Sequence, residues 1–120
     1  MDKLKIVPYK ATYKSEFEVL NRLWIEKYFV MEDEDLNTLQ NSESYVIDKG
    51  GEIFFAILEE NVVGTAAMIP SGKGIFELAK MSVRPEYQRK GIAKELLRRC
   101  ISFSKAVSYT HLTLPTNREV

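Results

Sequence analysis

Three apolar runs of strand length follow one another between residues 53 and 83, and they restrict this chain to a sheet built from consecutive strands. Residues 53–58 and 62–69 are separated only by Glu59-Glu60-Asn61, which makes a hairpin. Pro70 and the tight turn Ser71-Gly72-Lys73-Gly74 lead into the third run, residues 75–83. Connections this short join antiparallel neighbours, because a parallel crossover needs a dozen residues or more. The runs are nearly continuous rather than alternating, so both faces of the strands are expected to be covered.

The rest of the chain supplies the cover. Residues 4–7 read as a short edge strand ended by Pro8. From Ser15, an N-cap by residue type, Phe17, Leu20, Trp24 and Tyr28 recur at helical spacing with Leu23 beside them. That stripe assigns Trp24 and Tyr28 to the core rather than to a pocket. The acidic run Glu32-Asp33-Glu34-Asp35 leads into Leu36 and Leu39, a short second helix with negative charge at its favourable end. Such a run is either a solvated face or an attractor for a cationic amine. Gly50-Gly51 is a break. Beyond Gly91, Ile92, Leu96, Leu97, Cys100 and Ile101 form the stripe of a third helix, with Lys94, Glu95, Arg98 and Arg99 opposite. The order β-α-α-β-β-β-α describes an α/β chain with a mixed, largely antiparallel sheet flanked by helices. It lacks the repeated βαβ units of a doubly wound fold.

With 120 residues the chain is long enough for one core. Lys and Arg total 17 and so do Asp and Glu, which removes the usual electrostatic argument for nucleic acid or an anionic membrane as partner. Cys100 is the single cysteine, so no internal disulfide forms, and its place on the helix stripe makes it a small core residue. No metal is expected, since the lone His111 has no second ligand at suitable spacing. The opening MDKLKIVPYK has no apolar core of a signal peptide, and no apolar run nears the ~20 residues of a membrane span. A cytoplasmic protein is the expectation.

Chemistry concentrates between Phe76 and Cys100. There, Gln88-Arg89-Lys90-Gly91-Ile92-Ala93 joins the end of a strand to the first turn of a helix. The first amides of a helix have no internal acceptor and its dipole favours negative charge, so a pyrophosphate is the natural guest. Gly91 lets backbone approach a ligand. Arg84, Arg89, Lys90, Lys94, Arg98 and Arg99 against Glu86 and Glu95 supply positive charge that the zero total conceals. The six-residue pattern alone is weak, matching on the order of one chain in ten of this length. Its position between an apolar strand and an amphipathic helix gives it meaning. It is neither a Walker A loop nor Gly-x-Gly-x-x-Gly.

With these residues in place, the chain resembles the GNAT superfamily of N-acetyltransferases from its first strand to about Lys105. The most specific part is LAKMSVRPEYQRKGIA, residues 78–93, which is similar to the superfamily's acyl-CoA-binding motif. The resemblance implies a sheet splayed at its centre, with acetyl-CoA in the splay and no metal. By position it implies pyrophosphate contacts from the backbone of Gln88, Arg89, Lys90, Gly91, Ile92 and Ala93, with Lys94 beside them. Ala93 stands where many members carry a second glycine. Met81, Ser82 and Val83 would lie along the pantetheine arm. The implied reaction is direct attack of an amine, on a small molecule or peptide, at the thioester carbonyl. Glu77, fourteen positions before Gly91, stands where some lysine-acetylating members carry their base, and the Met81 N–H would hold the oxyanion. Glu77 could equally face solvent or pair with Lys80. The alternatives to acyl transfer are a non-catalytic CoA- or phosphate-binding module of this fold, and a small interaction domain with a coincidental helix start.

After Lys105 the chain changes character. Residues 107–120, VSYTHLTLPTNREV, show neither helical stripe nor alternation. No further strand, tyrosine-bearing helix supplying a general acid, or closing strand pair of the family is expected in them. VSYTHLTLPT instead resembles the conceptual translation of a transposase-end adapter from sequencing libraries, read in one frame with Ala106 across the join. The expectation is a partial acetyltransferase domain over residues 1–106 and a non-native tail over 107–120, with His111, Thr110 and Thr113 carrying no function. Truncation would leave the edge of the third meander strand and the last helix short of partners, so the 120-residue chain is expected to be marginally stable, aggregation-prone and inactive or poorly active. Genomic reads across the coding locus are expected to diverge from this sequence after residues 104–106; a native codon for both Tyr109 and His111 would refute the tail's origin.

Overall fold

The computed structural model describes residues 3–107, 109 and 111–113. Its strands are β1 (Lys5–Pro8), β2 (Glu52–Leu58), β3 (Asn61–Pro70), β4 (Ile75–Val83) and β5 (His111–Thr113), and its helices are α1 (Lys14–Tyr28), α2 (Asp33–Gln40) and α3 (Ile92–Ala106). The five strands form one sheet in the order β1-β2-β3-β4-β5, antiparallel except for the parallel β4–β5 pair. This is the mixed, largely antiparallel sheet that the apolar runs predict, with β1 at one edge.

The sheet buries both faces, as its continuous apolar strands require. On one side α3 sets Ile92, Leu96 and Cys100 against Phe54, Ala66, Met68 and Phe76. On the other, α1 and α2 bring Phe17, Leu20, Ile25 and Leu39 onto Ile53, Phe55 and Ala67. Gly64 sets the closeness of α3 to β3, since a Cβ there would stand 3.2 Å from Leu96 and 3.3 Å from Ile92. Packing at this density holds the start of α3, and so the loop before it, at a fixed height over the sheet.

Several local expectations are corrected. Ser15 is not the N-cap: a 3₁₀ turn at Ala11–Tyr13 runs into α1, whose cap position is Tyr13 without a side-chain bond. The buried stripe of α1 is Phe17, Leu20, Asn21 and Ile25, whereas Leu23, Trp24 and Tyr28 are 52%, 37% and 53% exposed. Spacing alone could not choose between these stripes. The buried one contains Asn21 because its side-chain amide donates to Phe17 O at 2.8 Å, which removes the penalty for burying it. On α3, Ile101 is exposed and Ser104 buried, its hydroxyl donating to Cys100 O at 2.9 Å. Burial pushes the Cys100 thiol up to about 12, which keeps it protonated and unreactive near neutrality.

The tail also departs from expectation. Residues 107, 109 and 111–113 fall within the described structure, and His111–Thr113 form a fifth strand where none was expected. Pairing needs only backbone groups, and here it aligns Ile75 with His111 and Glu77 with Thr113. Tyr109 adds a ring stacked on Phe76 at 4.0 Å. The edge of β4 is therefore covered as far as Glu77 and open from Leu78 onward among the described residues. The expectation for 108, 110 and 114–120 lies outside the described residues.

The β2–β3 hairpin turns on Glu59 and Glu60, whose φ angles of 51° and 69° are both left-handed, with Leu58 facing Asn61. Asn-Gly is the sequence this turn favours, because left-handed backbone costs other residues about 1–2 kcal/mol each. Replacing the pair together, Glu59→Asn with Glu60→Gly, is expected to stabilise the fold by about 1 kcal/mol, read as a higher urea midpoint at unchanged slope.

Candidate functional site

The site begins with an irregularity in β4. Ala67 faces Lys80 but the next residue, Met68, faces Leu78, so Ala79 is an extra residue that bulges the strand. A bulge reverses the alternation of side chains. Phe76 and Leu78 lie on the α3 side before it, and Met81 and Val83 join the same side after it. Unbulged, β4 would carry Glu77 and Met81 on one face.

The backbone beyond the bulge has a free edge. Arg84 donates its N–H to Val63 O at 2.8 Å, so the other side of that peptide, Val83 O, points away from β3. By alternation the N–H and C=O of Met81 point away as well. No described strand meets them there, and the Gln88 side chain donates to Val83 O at 3.1 Å.

From Val83 the chain turns through Pro85–Tyr87, where proline suits the first position of a 3₁₀ turn, to Arg89 at φ 63° and Gly91 at φ 85°. Glycine is needed at 91 for that angle. Its missing Cβ would meet nothing within 4 Å, so closeness to other protein atoms is not the reason. Gly91 caps α3 without a side-chain bond, and the first helical bond at its start runs from Glu95 N–H to Gly91 O. The amides of Arg89 through Lys94 therefore donate to no acceptor among the described residues.

Of the cations expected around this loop, several are engaged elsewhere. Arg84 donates to Val62 O at 2.9 Å and pairs with Glu16 at 3.0 Å, tying α1 to the end of the meander. Arg98 pairs with Glu95 at 2.8 Å, and the Arg99 guanidinium lies 4.7 Å over the Phe54 ring. Arg89, Lys90 and Lys94 remain, with the Lys90 ammonium 5.9 Å from the Tyr87 ring centre.

Two cavities meet at this edge. A groove of about 370 Å³ is lined by Met81, Ser82, Val83, Gln88, Arg89, Gly91, Ile92, Ala93 and Lys94, together with Trp24 and Tyr87. Every expected cofactor-binding residue except Lys90 lines it. The Ser82 hydroxyl there is buried with no hydrogen-bond partner among the described residues, while the Ile92 side chain belongs to the core and only its backbone is available. A second cavity of about 280 Å³ is bounded by Ile25, Phe29, Glu32, Glu34, Asp35, Ile69, Glu77 and Lys80. Trp24 and Met81 line both. Glu77 and Met81, the two expected catalytic residues, thus share the second cavity.

Three contributors were not anticipated as site residues. Trp24 lies between the cavities, its ring tilted 49° against that of Tyr28 with ring centres 4.5 Å apart. Asp35, expected on a solvated face, is 3% exposed. It receives the Glu32 N–H at 3.1 Å within a reciprocal capping box and pairs with Lys80 at 3.2 Å. Lys80 is thereby taken from Glu77, whose carboxylate has no ion pair among the described residues. The available signal was a lysine in a largely apolar strand, because such a charge needs a carboxylate, although Glu77 on the same strand was the nearer candidate.

A curled, mostly antiparallel five-stranded sheet flanked by helices, with α3 launched from the loop after β4, is the architecture of GNAT acetyltransferase structures. The chain belongs to the acetyltransferase (GNAT) family, whose model matches residues 17–119. Rat N-acetyltransferase 8B is 32% identical over 81 residues, covering 63% of this chain and 36% of the relative. The N-acetylaspartate synthetase of Xenopus tropicalis is 36% identical over 80 residues, covering 65% and 30%. The chain thus spans about a third of the length of the curated relatives it matches. A GNAT-family acetyltransferase structure from Staphylococcus aureus Mu50 superposes with a TM-score of 0.84 at 26% identity, covering 95% of this chain and 74% of that one. An aminoglycoside N-acetyltransferase in complex with CoA shares the fold, with a TM-score of 0.75 at 15% identity over 96% of this chain and 78% of that one.

The Asp35–Lys80 pair holds α2 over β4. Removing one partner strands a charge, although Lys80, at 19% side-chain exposure, can reach water. Asp35→Ala is expected to cost about 2–3 kcal/mol in urea unfolding, and Asp35→Leu with Lys80→Met to recover most of that loss.

Proposed function

We propose that this chain transfers an acetyl group from acetyl-CoA to an amine. The observation that carries the proposal is the junction of the two cavities at Met81. A phosphorylated carrier lying in the groove, with its pyrophosphate on the free amides of Arg89 to Lys94, would bring its thioester to the mouth of the cavity that Glu77 lines. That an aminoglycoside N-acetyltransferase of the same fold forms a complex with CoA supports this class of ligand.

An alkyl ammonium of pKa ~10.4 is unprotonated in only about one molecule in 2,500 at pH 7, so a base has work to do. Glu77 takes a proton from the ammonium as it enters the cavity. The amine lone pair attacks the thioester carbonyl carbon, the C–N bond forms, and the carbonyl electrons move onto oxygen. The Met81 N–H, with no strand partner, donates to that oxyanion. Collapse breaks the C–S bond, the attacking nitrogen gives up its second proton, and CoA leaves as the thiolate, which takes that proton up. Arg89, Lys90 and Lys94 offset the charge of the diphosphate, with Gln88, Gly91, Ile92 and Ala93 contributing backbone, and Ser82 and Val83 flank the carrier's arm.

Trp24 is the single tryptophan and lies at the junction, so its fluorescence can follow binding. CoA release can be followed with a thiol reagent, since Cys100 is buried and its thiol is held protonated. Glu77→Gln is expected to lower turnover at saturating acetyl-CoA about 10²-fold or more while changing acetyl-CoA affinity less than twofold. Binding without turnover towards any amine would leave a non-catalytic CoA-binding module, and no binding of acetyl-CoA would overturn the assignment.

A further inference from the structure

The cavity beside Glu77 has a charge that a simple amine does not use. Its lining carboxylates are Glu32, Glu34, Asp35 and Glu77 and its one lining cation is Lys80, which leaves an excess of three negative charges. The start of α2 offsets about half a charge. Glu32 and Asp35 are engaged in the capping box, and Asp35 also in the Lys80 pair. Glu34 and Glu77 have no side-chain hydrogen bond or ion pair among the described residues, and they stand on different walls, one on α2 and one on β4. Ile25, Phe29 and Ile69 supply apolar lining between the charged groups, Asn21 and Thr38 polar lining, and Trp24 is shared with the groove.

From this arrangement we infer that the acceptor is an aliphatic diamine or polyamine. This rests on the acetyl-transfer reading of the same site. One amino group loses its proton to Glu77 and becomes the nucleophile; a second, still cationic, is held by Glu34 and the indole face. The methylenes between them lie against Ile25, Phe29 and Ile69. A cation keeps its charge best where carboxylates are unpaired and partly shielded from water, and an aromatic face adds to the attraction. An acceptor carrying its own carboxylate meets the same excess charge as repulsion.

The test uses Trp24 fluorescence on the full chain with 1,4-diaminobutane, spermidine, butylamine and aspartate, each with and without acetyl-CoA. Diaminobutane and spermidine are expected to bind at least fivefold more tightly than butylamine, and aspartate not to bind. In 0.5 M salt that preference should shrink towards unity, because the selecting interaction is between charges. Glu34→Gln should reduce the preference to about twofold. Equal affinity for diaminobutane and butylamine in the unmutated protein, tighter binding of aspartate, or no binding of any amine would overturn the inference. The acetyl-CoA titration stands apart: diamine selectivity without acetyl-CoA binding sinks the transfer reading and leaves the cationic site, and acetyl-CoA binding without selectivity does the reverse.

Discussion

The one-sided pairing of β4 is the constraint on which the rest of the site depends. Among the described residues the strand has neighbours on both edges up to Glu77, and beyond it β3 alone pairs with it. A strand edge buried inside a fold would leave amides and carbonyls unpaired at a cost of several kcal/mol, so an open edge at the centre of a sheet is retained where something else meets it. Here the open edge coincides with a bulge at Ala79, a groove, and a loop whose amides are also unpaired. The features share a cause, in that β4 leaves its outer neighbour before it ends.

Electrostatics divides the site into two halves. The chain is neutral in total, with 17 charges of each sign, yet Arg89, Lys90 and Lys94 surround the loop while Glu32, Glu34, Asp35 and Glu77 surround the cavity. Trp24 and Met81 lie where the halves meet. An anionic carrier and a cationic acceptor would each be drawn to its own side. Within that arrangement the Asp35–Lys80 pair has a structural part, anchoring α2 to β4 and leaving Glu77 unpaired. The Arg84–Glu16 pair does the same for α1, at the expense of a cation that composition would have assigned to the loop.

Much of the architecture was legible in the residues. The hairpin at Glu59-Glu60 and the turn at 71–74 were visible as short polar breaks between apolar runs, and α3 announced itself through Ile92, Leu96 and Cys100. The groove was legible for a different reason: Gln88 to Ala93 is contiguous, so strand, loop and helix start are placed together by the chain itself. The α1 stripe was not legible. Trp24 and Tyr28 share the spacing of core residues, and only the position of α2 and β4 shows that the buried face is rotated towards Asn21 and Ile25. Nor was β5 legible, since His-Leu-Thr pairs through backbone groups that any such tripeptide has.

The order of secondary-structure elements, the antiparallel meander and the loop that opens α3 were determined by the sequence alone, because each depends on contacts between residues close in the chain. The bulge at Ala79, the partner of Lys80, the exposure of Trp24 and the meeting of the two cavities were decided only in three dimensions. These depend on pairs such as Asp35–Lys80 and Glu16–Arg84, brought together from distant stretches of chain. Residue type restricts which partners a charge or a strand edge will accept, and packing selects among them.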